Sequence, residues 1–159
     1  MAQAFNLVAD SVAPERGMYA YMPNAPQEHN NIFYSAEPTD TIQAGDFVKL
    51  SATSTNTACP VVEKCAVADV PYGMVVYDCR VNAHKVGERV ALAKNGEIVW
   101  LVANGEINVG SKLQMINGTV YVDDTTTSAS AYVGVAVTKA NAQGDLIQVK
   151  LDFNLGVAG

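Results

Sequence analysis

The sequence predicts an all-β domain, a small β-barrel or β-sandwich with little helix. Apolar and polar residues alternate in many short runs, which is the period-two pattern of half-buried strands. Turn signals, mostly glycine or Asn-Gly, separate these runs about every ten residues. No amphipathic run of helical period in the 159 residues is long enough to predict an α-helix. Many short strands at this spacing are typical of sandwiches and barrels.

One motif introduces four of the predicted strands. It reads glycine, a polar residue, any residue and then apolar residues in alternation, and it occurs at Gly45, Gly87, Gly110 and Gly144. Glycine adopts positive φ angles without steric cost, so we expect each of these residues to form a turn that precedes a strand. The copies are unevenly spaced, which excludes a solenoid repeat.

The pair Asn95-Gly96 predicts a β-hairpin around which the rest of the domain is organised. A type I′ turn needs positive φ at both central residues, and Asn-Gly supplies it. Folding the chain there sets Leu92 opposite Val99. Both faces of such a hairpin are apolar, so we expect it in the middle of the domain or beneath another subunit. The predicted core residues of the hairpin are Val90, Leu92, Ile98, Trp100 and Leu101.

Composition and charge narrow the classes of partner. The chain is 49% hydrophobic but only 16% charged, which indicates that other chains cover part of its surface. A net charge of −6 and the lack of any Lys/Arg run argue against nucleic acid or an anionic membrane as a partner. No segment approaches the roughly 20 apolar residues of a membrane span. The N-terminus lacks the features of a secretion signal, so we expect a soluble protein made in a cytoplasm.

Residues 1–31 predict an extended N-terminal arm, followed by a β domain over residues 32–159. The arm contains three prolines and no regular hydrophobic period, yet it is too apolar for a simple solvated tail. Three interpretations remain open: the arm lies across its own domain, docks on a neighbouring subunit, or is disordered. The candidate subunit or capsid interface consists of its apolar residues Phe5, Leu7, Val8, Met18, Tyr19, Tyr21 and Met22.

The cysteines and histidines do not predict a reactive or metal site. Cys59, Cys65, Cys79 and His84 supply the ligand types of a zinc site but lack a close Cys-x-x-Cys pair. An odd number of cysteines in a chain of this size fits reduced thiols, which behave as small buried hydrophobic groups. Both histidines lie in polar, loop-like sequence, without the third group that orients a Cys–His nucleophile pair.

The carboxylates do not predict a catalytic or metal site either. Asp123-Asp124, Glu37, Asp40 and Asp46 lie beside turn residues, where acidic side chains usually stabilise turn geometry. No calcium-loop, phosphate-loop, dinucleotide-binding or nucleophile-elbow motif is present. The sequence therefore predicts a structural or binding protein that is not an enzyme, with no catalytic residue, metal or cofactor.

The order of the motifs carries a resemblance to a known family. The segments are residues 44–50 (AGDFVKL), 70–77 (VPYGMVVY), 86–93 (VGERVALA) with 96–101 (GEIVWL), and 107–113 (INVGSKL). This order is similar to that of the capsid decoration, or structural cement, proteins of tailed bacteriophages. The similarity covers roughly residues 42–122, and Tyr72 replaces the more usual Phe.

The resemblance implies a small β-barrel or β-tulip-like domain on the outer face of a phage head. There it is expected to bind the major capsid protein, commonly as a homotrimer, and to clamp neighbouring capsid subunits after the head expands. The protein is then made in the bacterial host cytoplasm and ends in the virion.

Two other functions remain as alternatives. The first is another β-module of the virion, such as the base of a head fibre or a carbohydrate-binding tail domain. For sugar binding, Tyr19, Tyr21 and Tyr72 are the candidate aromatic contacts, because Trp100 is expected to be buried. The second is a small β-barrel enzyme, against which the lack of an acid–base or nucleophile constellation argues.

Overall fold

The computed structural model describes most of the chain and is nearly all β. It covers residues 14–20, 33–35, 42–52, 60–77, 83–84, 87–116, 121–125, 127 and 129–159. This part contains no α-helix and one 3₁₀ turn, Phe153–Leu155. The predicted all-β fold class with a barrel is confirmed. The strands are β1 (Phe33–Ser35), β2 (Ile42–Gln43), β3 (Phe47–Leu50), β4 (Val61–Lys64), β5 (Gly73–Val75), β6 (Ala83–His84), β7 (Arg89–Val90), β8 (Leu92–Ala93), β9 (Ile98–Ala103), β10 (Lys112–Met115), β11 (Tyr121–Asp123), β12 (Tyr132–Ala136) and β13 (Leu146–Leu151).

Five strands from the second half of the chain form a closed barrel in the order β10-β11-β9-β13-β12. Its longest ladder joins β9 and β13 in antiparallel register, from Ile98 opposite Lys150 to Val102 opposite Leu146. Along β9 the residues alternate between half-buried and buried, so that Val99, for example, faces the interior. The period-two pattern of these runs therefore fills the barrel.

The other β unit, here called the curled sheet, has six strands in the order β7-β1-β4-β3-β5-β8. Its edge strands β7 and β8 are separated in sequence by Ala91 alone. One residue spans only about 3.3 Å, so the two edges of the sheet must lie side by side. The curled sheet encloses a core of its own, made of Ile42, Val48, Val62, Val75, Val90 and Leu92. Strands β2 and β6 form a separate two-stranded pair.

The curled sheet and the barrel share the larger hydrophobic core. Phe47, Met74 and Ala93 of the sheet belong to the same buried cluster as the barrel interior. The rings of Phe47 and Phe153 meet edge to face, with centroids 6.2 Å apart and planes at 89°. This geometry is favourable for aromatic pairs and fixes the sheet against the barrel.

The glycine motif behaves as the sequence predicts. Gly45, Gly87, Gly110 and Gly144 all have positive φ, between 78° and 95°, and each lies two residues before a strand. In two copies the following acid closes the turn. Asp46 Oδ2 accepts a hydrogen bond from the N–H three residues earlier (2.8 Å), and Asp145 Oδ2 does the same (3.0 Å). Turn and strand start are thus encoded together.

The predicted hairpin at Asn95-Gly96 is wrong, and the turn found there is not of type I′, because Gly96 has positive φ and Asn95 does not. Gly96 has a φ of 87°, and Glu97 Oε2 accepts a hydrogen bond from the N–H of Lys94 (2.7 Å). Strand β8 nevertheless pairs with β5, while β9 pairs with β13. The N–H of Gly96 donates to the carbonyl oxygen of Leu151 (2.8 Å), so β13 captures the chain directly after the turn.

The predicted hairpin residues consequently divide between two cores. Val90 and Leu92 are buried inside the curled sheet, whereas Leu101 is buried inside the barrel. Ile98 and Trp100 alternate with the interior residues of β9 and are only half-buried. The pairing changed because β13 offers β9 a ladder of five residue pairs, longer than any that the two residues of β8 can provide.

A glycine inside the barrel wall provides a test of this packing. An added Cβ at Gly134 would collide with the carbonyl oxygen of Lys150 on the paired strand β13. We expect Gly134→Ala to lower the free energy of unfolding by about 2 kcal/mol, measured by urea denaturation. Gly105→Ala is the matched control, because its Cβ meets no atom within 4 Å, and we expect a change within about 0.5 kcal/mol. Equal losses in the two variants would contradict the tight β12–β13 contact.

Candidate interaction site of the N-terminal arm

Residues 17–20 of the arm, here called the arm segment, run antiparallel to the first half of β9 and form an isolated β-bridge with it. Tyr19 and Val99 are antiparallel partners. The N–H of Gly17 donates to the carbonyl oxygen of Trp100, the N–H of Trp100 donates to that of Met18, and the N–H of Ala20 donates to that of Ile98, each at 2.8 Å. Strand β11 pairs only with the far end of β9, so the arm occupies the edge that β11 leaves open.

The other side of this segment contacts the curled sheet. The N–H of Tyr77, just beyond β5, donates to the carbonyl oxygen of Gly17 (2.9 Å). The arm segment therefore lies between the barrel and the curled sheet and hydrogen-bonds to both. We call its binding place the arm slot, formed by Ile98–Trp100 on one side, the backbone of Tyr77 on the other, and the turn at residues 43–46 at its end.

An ion pair fixes the end of the arm segment. Arg16 Nη2 lies 2.9 Å from Asp46 Oδ1, and Arg16 Nη1 donates to the carbonyl oxygen of Ala44 (2.6 Å). The Arg16 and Asp46 side chains are only 16% and 13% exposed. Lys64 Nζ lies 3.4 Å from the other carboxylate oxygen of Asp46. Asp46 thus connects the arm, the turn before β3 and strand β4.

Glycine is required where the arm crosses that turn. Gly17 and Gly45 have φ values of +84° and +82°. A Cβ on Gly17 would lie 2.6 Å from the backbone nitrogen of Gly45, and a Cβ on Gly45 would lie 2.6 Å from Cγ of Arg16. The first contact is with backbone, and both positive φ values are unfavourable for residues with a side chain. This crossing therefore depends on two glycines that are 28 residues apart.

Tyr19 anchors the segment to the larger core. Its ring packs against the shared hydrophobic cluster. Burial raises the pKa of the phenol well above its ordinary value, and the charge of Glu97 and a hydrogen bond to that carboxylate raise it further. The hydroxyl is therefore held in its protonated, hydrogen-bonding form.

Of the predicted arm interface, the structure describes only Met18 and Tyr19. Both are half-buried in the arm slot of their own chain, so this part of the arm lies across its own domain. Phe5, Leu7, Val8, Tyr21 and Met22 lie outside the described residues. The sequence reasoning missed the Arg16–Asp46 pair, because no local spacing indicates a pair 30 residues apart.

Exposed apolar side chains are the other candidates for contact with a partner. Val109 is the most exposed of the described large hydrophobic residues, at 65%, in the turn before β10. The others are Leu50, Val70, Tyr72 and Val157. Lys94 Nζ lies 5.5 Å from the centroid of the Tyr72 ring, a cation–π distance. Tyr72 is thus the more accessible of the two described tyrosines proposed for sugar contact.

The described residues hold no cluster of three metal-ligating side chains. Cys65 is a free, half-buried thiol against the larger core, and burial raises its pKa to about 12. A thiol with so high a pKa is a poor ligand and nucleophile at neutral pH. Cys59 and Cys79 lie outside the described part, and only the backbone of His84 is described.

A cavity of about 400 Å³ lies at the end of the barrel near β10 and β11. Its buried polar residue Gln114 accepts a hydrogen bond from the N–H of Thr127 (2.7 Å) and donates to the carbonyl oxygen of Ser130 (3.1 Å). Asp123 accepts a hydrogen bond from Asn104 (2.8 Å) at the rim. Partial burial opposes ionisation of Asp123, but hydrogen bonds from Asn104 and Thr125 lower its pKa overall. These groups hold the loop after β11 in place.

The comparisons with known proteins agree with this fold. The family model described as phage cement protein matches residues 26–151, and the chain belongs to that family. It is accordingly a structural protein of a phage virion that associates with the capsid. A comparison with curated proteins found no match. In the described part of the chain, no helix is long and apolar enough to cross a membrane.

A solved structure shares the fold. It is the N base of the head fibre gp8.5 of bacteriophage phi29, with a TM-score of 0.51 at 15% sequence identity. The match covers 77% of this chain and 92% of the other.

Asp46→Ala tests the ion pair that fixes the arm. The substitution leaves the mostly buried Arg16 without its carboxylate, so we expect a loss of about 3 kcal/mol in the free energy of unfolding, measured by urea denaturation. Glu106→Ala is the control, because Glu106 is 65% exposed and lies 3.4 Å from Lys139. That exposed pair should contribute less than about 1 kcal/mol. Equal effects would show that the arm is not fixed through Asp46.

Tyr19→Phe tests the buried phenol through the pH dependence of stability. The pKa of the Tyr19 phenol is higher in the folded protein than the unfolded value of about 10. The stability that the protonated phenol contributes is therefore fully present below pH 10 and is lost as the pH rises above it. We expect the urea midpoint of the wild type to fall more steeply between pH 10 and 11 than that of Tyr19→Phe. Parallel pH profiles would mean that the phenol is not desolvated in the arm slot.

Proposed function

We propose that this protein decorates the outer surface of the expanded phage head and stabilises it by clamping neighbouring capsid subunits, without catalysis. The observation that carries the proposal is the match to the phage cement family over residues 26–151. We further propose that the major capsid protein is its partner and that it binds as a homotrimer.

The arrangement of the described residues supports a clamp. The curled sheet and the barrel share one core, and the arm segment hydrogen-bonds to both, so packing and hydrogen bonds join the two β units. Exposed apolar side chains such as Val109 and Val157 provide contact area. Weak contacts repeated between linked subunits add up through effective concentration. Preferential binding to the expanded lattice stabilises that state by mass action.

A second candidate function is the base of a head fibre. The similarity of fold to the head fibre base of bacteriophage phi29 favours it. A fibre base and a cement protein both sit on the head, but they differ in physical effect. A fibre base needs to hold only itself and a projecting fibre, whereas a cement protein must raise the stability of the shell.

The proposal is tested with expanded heads of the parent phage that lack this protein. We expect the purified protein to co-sediment with them, to saturate at a copy number that fills a complete set of equivalent lattice positions, and to raise the temperature at which the heads release DNA. Unexpanded heads are the control and should bind much less.

Binding that leaves the release temperature unchanged would overturn the clamp and favour a fibre base, for which electron microscopy of native virions should show a fibre projecting from the bound domain. A folded protein that does not bind expanded heads would overturn both functions. The sedimentation coefficient of the free protein and the copy number of the bound protein test whether it is a homotrimer.

A further inference from the structure

We propose that the arm slot is an exchange site between copies of this chain. When copies are held close together, residues 16–20 of one copy fill the slot of its neighbour. The slot that they leave is filled by residues 16–20 of another copy in the same way. This inference goes beyond the proposed function, because it concerns the chain itself and is testable without any capsid.

The slot needs an extended segment to complete it. The N–H and carbonyl groups of Trp100, the carbonyl of Ile98 and the N–H of Tyr77 are all satisfied by the arm. If the segment left, these backbone groups would lose their partners beside a hydrophobic core, which is costly for each group. Strand addition to an open edge is a common mode of peptide recognition.

The side chains make the slot selective for this chain's own segment. Arg16 matches Asp46 and the carbonyl of Ala44, and Gly17 permits an approach that any side chain would block. Tyr19 contributes its ring to the core and its hydroxyl to Glu97. A strand from another protein would need the same Arg-Gly-x-Tyr order to reproduce these contacts. The occupant that fits is therefore a second copy of the same segment.

The length of the connection allows exchange. Twelve residues separate Ala20 from Phe33, where β1 begins. Thirteen Cα–Cα steps reach at most about 45 Å. A compact domain of 159 residues has a radius of gyration of roughly 15 Å and hence a diameter of about 40 Å. The segment can thus reach a neighbour that lies side by side with its own domain.

Concentration decides which slot the segment occupies. A short linker gives an effective concentration in the millimolar range. A dilute chain therefore keeps its own segment, as the structure shows. Copies at millimolar local concentration exchange segments, since the contacts in the slot are identical in both cases.

The pair Tyr19 and Val99 offers a direct test. They face each other across the antiparallel bridge, and the backbone hydrogen bonds flank the pair rather than join it. In such a pair the Cα atoms are about 4.5 Å apart, within the range that a disulfide spans. The test uses a background in which the native cysteines are replaced, by Cys59→Ser, Cys65→Ala and Cys79→Ser.

One chain carries Tyr19→Cys and the other carries Val99→Cys. The two are mixed in equal amounts and gently oxidised in the absence of phage heads. At about 1 mM we expect about a quarter of the Val99→Cys chains in a disulfide-linked heterodimer on non-reducing gels, and only background at about 10 μM. Val109→Cys in place of Val99→Cys is the control, because it is exposed but lies outside the slot. A chain that carries both Tyr19→Cys and Val99→Cys shows whether the disulfide forms within one chain. If it does form there, but the mixture at about 1 mM gives only background heterodimer, the proposal is overturned.

Charge reversal gives a second test if the cysteine variants do not fold. Arg16→Asp and Asp46→Arg each place like charges together within one chain. In an exchanged mixture every arm meets an opposite charge, so we expect a higher melting temperature and a larger sedimenting species than in either variant alone. A mixture that behaves as the average of its two components would overturn the proposal.

Discussion

The two edges of β9 determine much of the architecture. One edge pairs with β13 over five residues, while the other is shared between β11 at one end and the arm segment at the other. Because unpaired backbone groups beside a core are costly, both edges must be occupied. The pairing with β13 closes the barrel and leaves β8 to the curled sheet. The same strand thus separates the two β units and creates the slot that joins them.

One local motif, a glycine turn, precedes several of these strands. The turn at Gly96 belongs to it as well, so five glycines with positive φ each lie two residues before a strand. After three of them, an acidic side chain accepts the N–H three residues earlier. This glycine turn motif explains where strands begin. It carries no information about which strands will pair.

The acidic residues of the described part largely serve the scaffold. Asp46 binds the arm, Asp69 accepts from the N–H of Ala66 and pairs with Lys49 at 2.8 Å, and Asp145 closes a turn. This use of charge suits a protein of the phage cement family, whose place is on a capsid.

The all-β class, the positions of the glycine turns and the alternating strands were predictable from the sequence alone, because each depends on φ angles and on a period of two within a few residues. The resemblance to cement proteins rests on the same local motifs. Tertiary structure decided the pairing of β9 with β13, which overrode the Asn95-Gly96 hairpin, and the ion pair between Arg16 and Asp46. These contacts join residues 30 to 52 positions apart. Their stability depends on the total backbone pairing and burial of the folded chain, which no local pattern records.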